Sequence, residues 1–298
     1  MAGHALSNAA RPRGRQFIDL ALRGSNTPRS YGATLLRIIL YPLAVALLLG
    51  LAALIATIVS HRPPGSIDPI VGVVVQYGLI VVAGFAVLRG VERSHLRPWR
   101  SVVAADLSLD WRRLAIGGAV QLAILAGELA LVHALFGWPW RMSLAVGLPL
   151  FVLAMCLIPL QSASEEILFR GYLTQSLGRI VRSRVLIAAA VALVFGALHL
   201  NSRGSLTVPY FFVLSLVFSL VSLRDEGLEL AIGGHAGINM FAFGAANLTL
   251  VGPGVVGGGD AAMPFNAAAI LAVAVNGAIF YGGTRLLVRV FCKPRSPI

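Results

Sequence analysis

Apolar residues run along this chain in blocks too long for strands and too uniform for the surface helices of a soluble domain. Runs of about 20 apolar residues, the length that spans a bilayer as a helix, cover 34–59, 69–88, 114–136, a segment starting near 143, 185–200, 206–223, 228–248 and 267–288. The pattern predicts an all-α, polytopic membrane helix bundle of about eight transmembrane helices, with both termini on one side. Hydropathy alone ends the fourth block near Leu160, yet from Ile158 to Leu177 apolar residues keep helical spacing around several charges. The segment 143–178 therefore reads as one long helix, with Pro159 as the expected break.

Composition agrees with this reading. The chain of 298 residues is 57% hydrophobic and only 12% charged, about half the charged share of a soluble domain. A free-standing soluble enzyme, a disordered protein and a disulfide scaffold are excluded. Cys156 and Cys292 form no framework. The net charge of +12 does not point to nucleic acid, because of where it falls. With eight spans, 21 of the 24 basic residues lie on one side, leaving Arg62, Arg141 and Arg203 on the other. By the positive-inside rule the basic side, with both termini, is cytoplasmic, and the protein is a multi-pass cell-membrane protein.

Residues 1–31 read as an Arg-rich cytosolic arm that sets topology, with no signal-peptide cleavage pattern. Residues 32–291 read as one membrane domain and 292–298 as a cytosolic tail. The run Leu107 to Leu114, with Trp111, is expected to lie along the interface. The tail has no cysteine fourth from its end, so prenylation of this chain is not indicated.

Ionisable groups within spans are costly, so each is a functional candidate. They are Glu128 and His133, then Glu165, Glu166 and Arg170, then His199, and finally His235 with Asn239. Glu229 stands at a helix entrance and is expected to be wet. Glu166 and Arg170 are four apart and able to pair; Glu165 is turned about 100° away. The expected division has Glu166 held by Arg170 and Glu165 left for chemistry. Counting from residue 181, Glu165 lies 16 residues back and His199 lies 18 forward. Two antiparallel helices from that turn place both at a depth on the order of 20–25 Å, so they are expected to face each other. His235 and Asn239 share one helix face, among Gly233, Gly234 and Gly237, which permit close helix approach. Glu128 and His133 are five apart and poorly aligned, with His133 expected at the outer interface near Trp138 and Trp140.

A carboxylate, two imidazoles and an amide around one cavity suit amide hydrolysis. Two chemistries fit. In one, Glu165 takes a proton from water, aided by His199, while His235 and Asn239 donate to the oxyanion. In the other, Glu165, His199 and His235 hold zinc with an open position for water.

These residues also carry a resemblance. Glu165-Glu166-x-x-x-Arg170, Phe195-x-x-x-His199 and His235-x-x-x-Asn239 are similar, in order and on separate helices, to the three motifs of the CAAX-prenyl-protease and bacteriocin-immunity (CPBP, or Abi) family of intramembrane metalloproteases. The resemblance covers about a quarter of the chain. It implies a membrane bundle with a site opening toward the cytosol, water activated by Glu165 and His199, support from Glu166 and Arg170, and an oxyanion stabilised by His235 and Asn239. The metal requirement stays open. The expected substrate is a membrane-embedded or lipid-anchored peptide or protein. The preference for arginine over lysine, with abundant alanine, fits a GC-rich bacterial genome. The runner-up is a non-catalytic immunity or scaffold protein that binds a partner through the same cavity, with a transporter third. Gly257-Gly258-Gly259-Asp260 spells an aspartyl-protease string in a glycine-rich loop without a second intramembrane aspartate. No His-Glu-x-x-His or Gly-x-Ser-x-Gly string occurs.

Overall fold

The computed structural model describes residues 15–60, 69–137, 148–200, 206–247 and 266–295. Its helices are α1 (Arg15–Asp19), α2 (Pro28–Ser60), α3 (Pro69–Arg93), α4 (Trp111–Phe136), α5 (Leu148–Glu166), α6 (Thr174–Leu177), α7 (Arg184–Leu198), α8 (Thr207–Asp225), α9 (Glu229–Asn247) and α10 (Ala267–Phe291). A π-helical turn, Ile167–Leu173, joins α5 to α6. Among the described residues there is no strand, only a bridge between Ala104 and Gly227. The protein is a polytopic helical membrane bundle. Within the described residues, six helical segments are long and apolar enough to cross a membrane. α7 is apolar but has only 15 residues, and α9 gives part of its length to polar site residues, so the expected eight spans are not all reached by length and composition.

Local chemistry sets the helix ends. Asp110 caps α4 by accepting from the backbone N–H groups of Arg112 and Arg113, Ser183 caps α7 and Asn266 caps α10, each satisfying amides that have no partner within the helix. Gly137 closes α4 in the left-handed region at φ 63°. Pro159 lies inside α5 without ending it. The irregularity comes later, at the π turn, where the Thr174 N–H and hydroxyl both reach the Phe169 carbonyl. Gly171 sits within that turn, and a Cβ there would meet the Val102 carbonyl oxygen at 2.5 Å.

The helices pack as α2 on α3, α3 on α5, α5 on α9, α9 on α4, and α7 on α8, with α10 against α4 and α8. The closest approach is α4 on α9, because Gly233 lies against the α4 backbone and a Cβ there would collide with the Leu114 carbonyl oxygen. Gly234 lies against the Phe280 ring, where a Cβ would come within 2.5 Å, and Gly237 faces the Gln121 side chain at 3.3 Å. Phe195, Phe218 and Phe280 fill the interior, while Leu47, Leu48, Leu51 and Ile58 of α2 point outward, as lipid-facing residues do.

Several expectations change at the basic end. The arm is not separate from the bundle beyond residue 16. Phe17, Ile18, Leu20 and Ala21 are buried, and the Phe17 carbonyl accepts from Gln175 Nε2 at 2.9 Å. Gln175 also donates to the Ser101 carbonyl and accepts from Arg97. In the run 107–114, Trp111 opens α4 and is largely exposed, while Leu107 and Leu114 pack on the Phe17 cluster. Glu229 is not wet: it is fully buried, and Arg295 and the Asp110 N–H satisfy it. The two cysteines are free. Arg62, Arg141, Arg203, Trp138, Trp140 and the 257–260 string lie outside the described residues.

Outside the spans, His95 bridges the Ser25 carbonyl and the Tyr172 hydroxyl. Burial holds its pKa below the ordinary value, helped by Arg97 and Arg179 and opposed by the Ser25 carbonyl. Burial likewise brings Arg97 down to about 10, still cationic at neutral pH. The fold thus favours neutral His95, so its contribution is complete above the unfolded value of about 6.5 and is lost as pH falls below it. The thermal midpoint in detergent should therefore drop on acidification from neutrality toward pH ~5.5, and His95→Gln should show a shallower drop; equal slopes would remove His95 from the account. A second expectation concerns helix approach. Gly233→Val should destabilise the bundle by about 1–3 kcal/mol, read as a lowered midpoint, whereas a wild-type midpoint would mean that α4 and α9 have slack.

Candidate active site

The site is built where the end of α5 meets α7, α8 and α9. Glu166 closes α5 and is fully buried. Its Oε1 accepts from Arg170 Nη1 at 3.0 Å and lies 2.8 Å from His235 Nδ1. A carboxylate beside a guanidinium is an acceptor, so Nδ1 of His235 carries the proton in this contact. Arg170, 1% exposed, also donates to the Ser215 carbonyl and hydroxyl from α8, at 3.3 and 2.7 Å. Its guanidinium lies 4.5 Å from the Phe195 ring centroid and 5.9 Å from that of Phe218, which adds cation–π attraction in a buried site. His235 stacks on Phe218. The pairing expected from the four-residue spacing is present, with aromatic rings from α7 and α8 around it.

Glu165 is placed differently from its neighbour. Its side chain is 13% exposed, its Oε1 accepts from Gln161 Nε2 at 2.6 Å, and its Oε2 lies 3.5 Å from His235 Nε2. The two carboxylates, although turned apart on the helix, thus meet the two nitrogens of one imidazole. Gln161 passes the arrangement on: its Oε1 accepts from Asn239 Nδ2 at 3.1 Å, and the same nitrogen reaches Ser162 Oγ at 3.2 Å.

His199 does not follow the expected pairing with Glu165. It ends α7 with φ −95° and ψ 5°, its Nδ1 lies 2.8 Å from the Phe195 carbonyl oxygen, and its ring stacks on Phe211 with centroids 4.1 Å apart. Among the described residues it makes no hydrogen bond or ion pair with Glu165. Counting along helices fixes depth but not the direction of a residue that has left the helix. The structure therefore brings together Glu165, Glu166, Arg170, His235 and Asn239, with His199 held separately by aromatic packing.

The same placement bears on zinc. A catalytic zinc site needs three protein donors converging on one point. Here Glu165 Oε2 and His235 Nε2 face each other, His235 Nδ1 is committed to Glu166, and His199 is held elsewhere. Among the described residues no group of three or more His, Cys, Asp or Glu side chains is placed to hold a metal ion. The set Glu165, His199 and His235, as arranged, does not fit a three-ligand zinc site.

Sequence reasoning missed Gln161, Ser162 and Ser215. Gln161 stands four residues before Glu165 in an apolar run, and a polar side chain in a span is a signal of the same kind as a charge. Ser215 comes from another helix, and no spacing pointed to it. Glu128, Asn276 and Gln121 form a separate chain of hydrogen bonds between α4 and α10.

Comparison with known proteins bears on this same segment. An uncharacterized protein of Bacillus subtilis (strain 168), YyaK, is 26% identical over 182 residues, 58% of this chain. That match spans 61% of the relative's length. Residues 145–241 match the family model described as type II CAAX prenyl endopeptidase Rce1-like. All three motifs fall inside that range, so the segment that builds the site is Rce1-like in sequence.

Proposed function

We propose that this protein is an intramembrane endopeptidase that hydrolyses a peptide bond of a membrane-embedded or lipid-anchored substrate, with Glu165 as the base. The observation that carries the reading is the contrast between two adjacent carboxylates. Glu166 is fully buried and bound to Arg170 and His235, whereas Glu165 keeps an exposed edge beside His235 Nε2. This contrast in surroundings supports Glu166 as the supporting carboxylate and Glu165 as the one that takes the proton.

Water, placed against Glu165 Oε2, gives its proton to that oxygen as its own oxygen attacks the substrate carbonyl carbon. His235 Nε2, with Nδ1 anchored on Glu166, can take this proton over. Its delivery to the leaving nitrogen as the C–N bond breaks yields a carboxylate and an amine. Gln161 fixes the orientation of Glu165 and links it to Asn239. The roles of His199 beside the water and of Asn239 at the oxyanion rest on the motif match rather than on a contact. Glu165 lies twelve residues before Leu177, about 18 Å along a helix from the basic turn that follows. We take that basic face as cytosolic by the positive-inside rule and the source as bacterial, so the bond cut lies below the cytosolic surface.

The direct test uses purified wild type and Glu165→Gln in lipid nanodiscs against a library of membrane-spanning and lipidated peptides. Wild type should cleave, and the variant should lose on the order of 10²–10⁴-fold in kcat while keeping its thermal midpoint. Equal cleavage by both removes Glu165 as the base; no cleavage by either, with cellular function retained by both, makes the cavity a partner-binding site. Gln161→Ala should lower kcat by on the order of 10- to 100-fold with KM little changed, since it misplaces the base without touching substrate. A pure KM effect would contradict that role.

A further inference from the structure

On the basic face, away from the site just described, the ends of α8 and α10 and the start of α4 enclose an open cavity of about 620 Å³. Six cations line it: Arg113, Arg224, Arg285, Arg289, Lys293 and Arg295. Against them stand two carboxylates, Asp225 and Glu226.

The six divide by what holds them. Arg113 and Arg295 are buried structural groups. Arg113 pairs with Asp110 and Asp225 and donates to the Lys293 carbonyl; Arg295 pairs with Asp106, Asp225 and Glu229. Arg224 donates to the Tyr281 carbonyl and the Thr284 hydroxyl. These contacts build the floor and engage Asp225 through Oδ1, while its buried Oδ2 has no hydrogen-bond partner among the described residues and lies 3.9 Å from Arg295. Arg285, Arg289 and Lys293 are different. All three are exposed: Arg285 and Arg289 stand four apart on one side of α10, Lys293 follows the extended cap residue Cys292, and among the described residues their charged groups make no ion pair or hydrogen bond. Like charges four apart on a helix repel, and Lys293 adds a third cation to the same lining, so a shared anion would stabilise this wall.

The anion is identified by the chemistry of the donors. Guanidinium groups present paired N–H donors that match phosphate oxygens. The cavity lies at the membrane-facing ends of transmembrane helices, where basic pockets meet lipid headgroups. We propose that this cavity is a binding site for a phosphate group, supplied by the headgroup of an anionic phospholipid or by a small soluble phosphate ester, and that Arg285, Arg289 and Lys293 are its selective wall.

The full chain is reconstituted in nanodiscs of phosphatidylcholine with and without phosphatidylglycerol, and bound lipid is read by native mass spectrometry. The triple variant Arg285→Gln, Arg289→Gln, Lys293→Gln is compared with wild type and with a control, Arg93→Gln, Arg179→Gln, Arg184→Gln. The control removes the same charge from exposed positions on the same face. Wild type and control should retain phosphatidylglycerol, and the α10 variant should lose it by on the order of 100-fold, at about fivefold per cation. In phosphatidylcholine alone, glycerol 1-phosphate is titrated against the thermal midpoint. A rise in wild type and control that is missing from the α10 variant supports the same pocket with a soluble phosphate as its source. Equal loss of lipid by both triple variants shows general surface charge and overturns the proposal, as does failure of both ligands to separate wild type from the α10 variant. Thermal midpoints without ligand show that the α10 variant is folded, since all three side chains are exposed and outside the ion-paired floor.

Discussion

The Oε1 atom of Glu166 is the point on which the site depends. It receives Arg170 from its own helical segment and His235 from α9, and all three side chains are buried. A buried charge is tolerable only when paired and hydrogen-bonded. Each of these groups is therefore a condition for the others. Remove the carboxylate, and Arg170 is left with Ser215 and two aromatic rings, while His235 loses the contact that fixes its protonated nitrogen. The network ties α5, α8 and α9 through one atom, and the geometry of Glu165 follows from it, since His235 carries the constraint across its ring.

Holding α9 this close requires the backbone contact at Gly233 with α4. That contact sets the height at which His235 meets Glu166. The π turn after Glu166 serves the same end. π turns recur at functional sites because they offset the side chains that follow; here the turn carries Arg170 and presents Gly171 flat against Val102.

Much of this was legible in the sequence. Long apolar runs and basic asymmetry give a membrane bundle, and a four-residue spacing gives the Glu166–Arg170 pair. The glycines around His235 announce close approach. What spacing could not supply was azimuth and partner choice across helices. His199 and Glu165 sit at comparable counts from one turn, yet His199 has left the helix at its C-terminus and turned to Phe195 and Phe211. His235 is 69 residues from Glu166 in the chain, and only the packing of α9 on α5 reveals that it bridges both carboxylates. Gln161 and Ser215 carry no charge, and spacing along the chain does not pair them with Asn239 or Arg170. The N-terminal arm looked solvated for the same reason: its arginines hid Phe17 and Ile18, which are buried.

Arg295 neutralises Glu229, the first residue of the helix that carries His235 and Asn239. It comes after α10, the last helix described. During synthesis, α9 is therefore inserted with a carboxylate at its mouth that has no cation until some sixty further residues have been made. Until then Glu229 has the Asp110 amide as its described partner. The closing of the ion pair is thus a late event in biogenesis: the entrance of the helix that carries His235 and Asn239 is sealed by a residue that arrives only after every described helix has been translated.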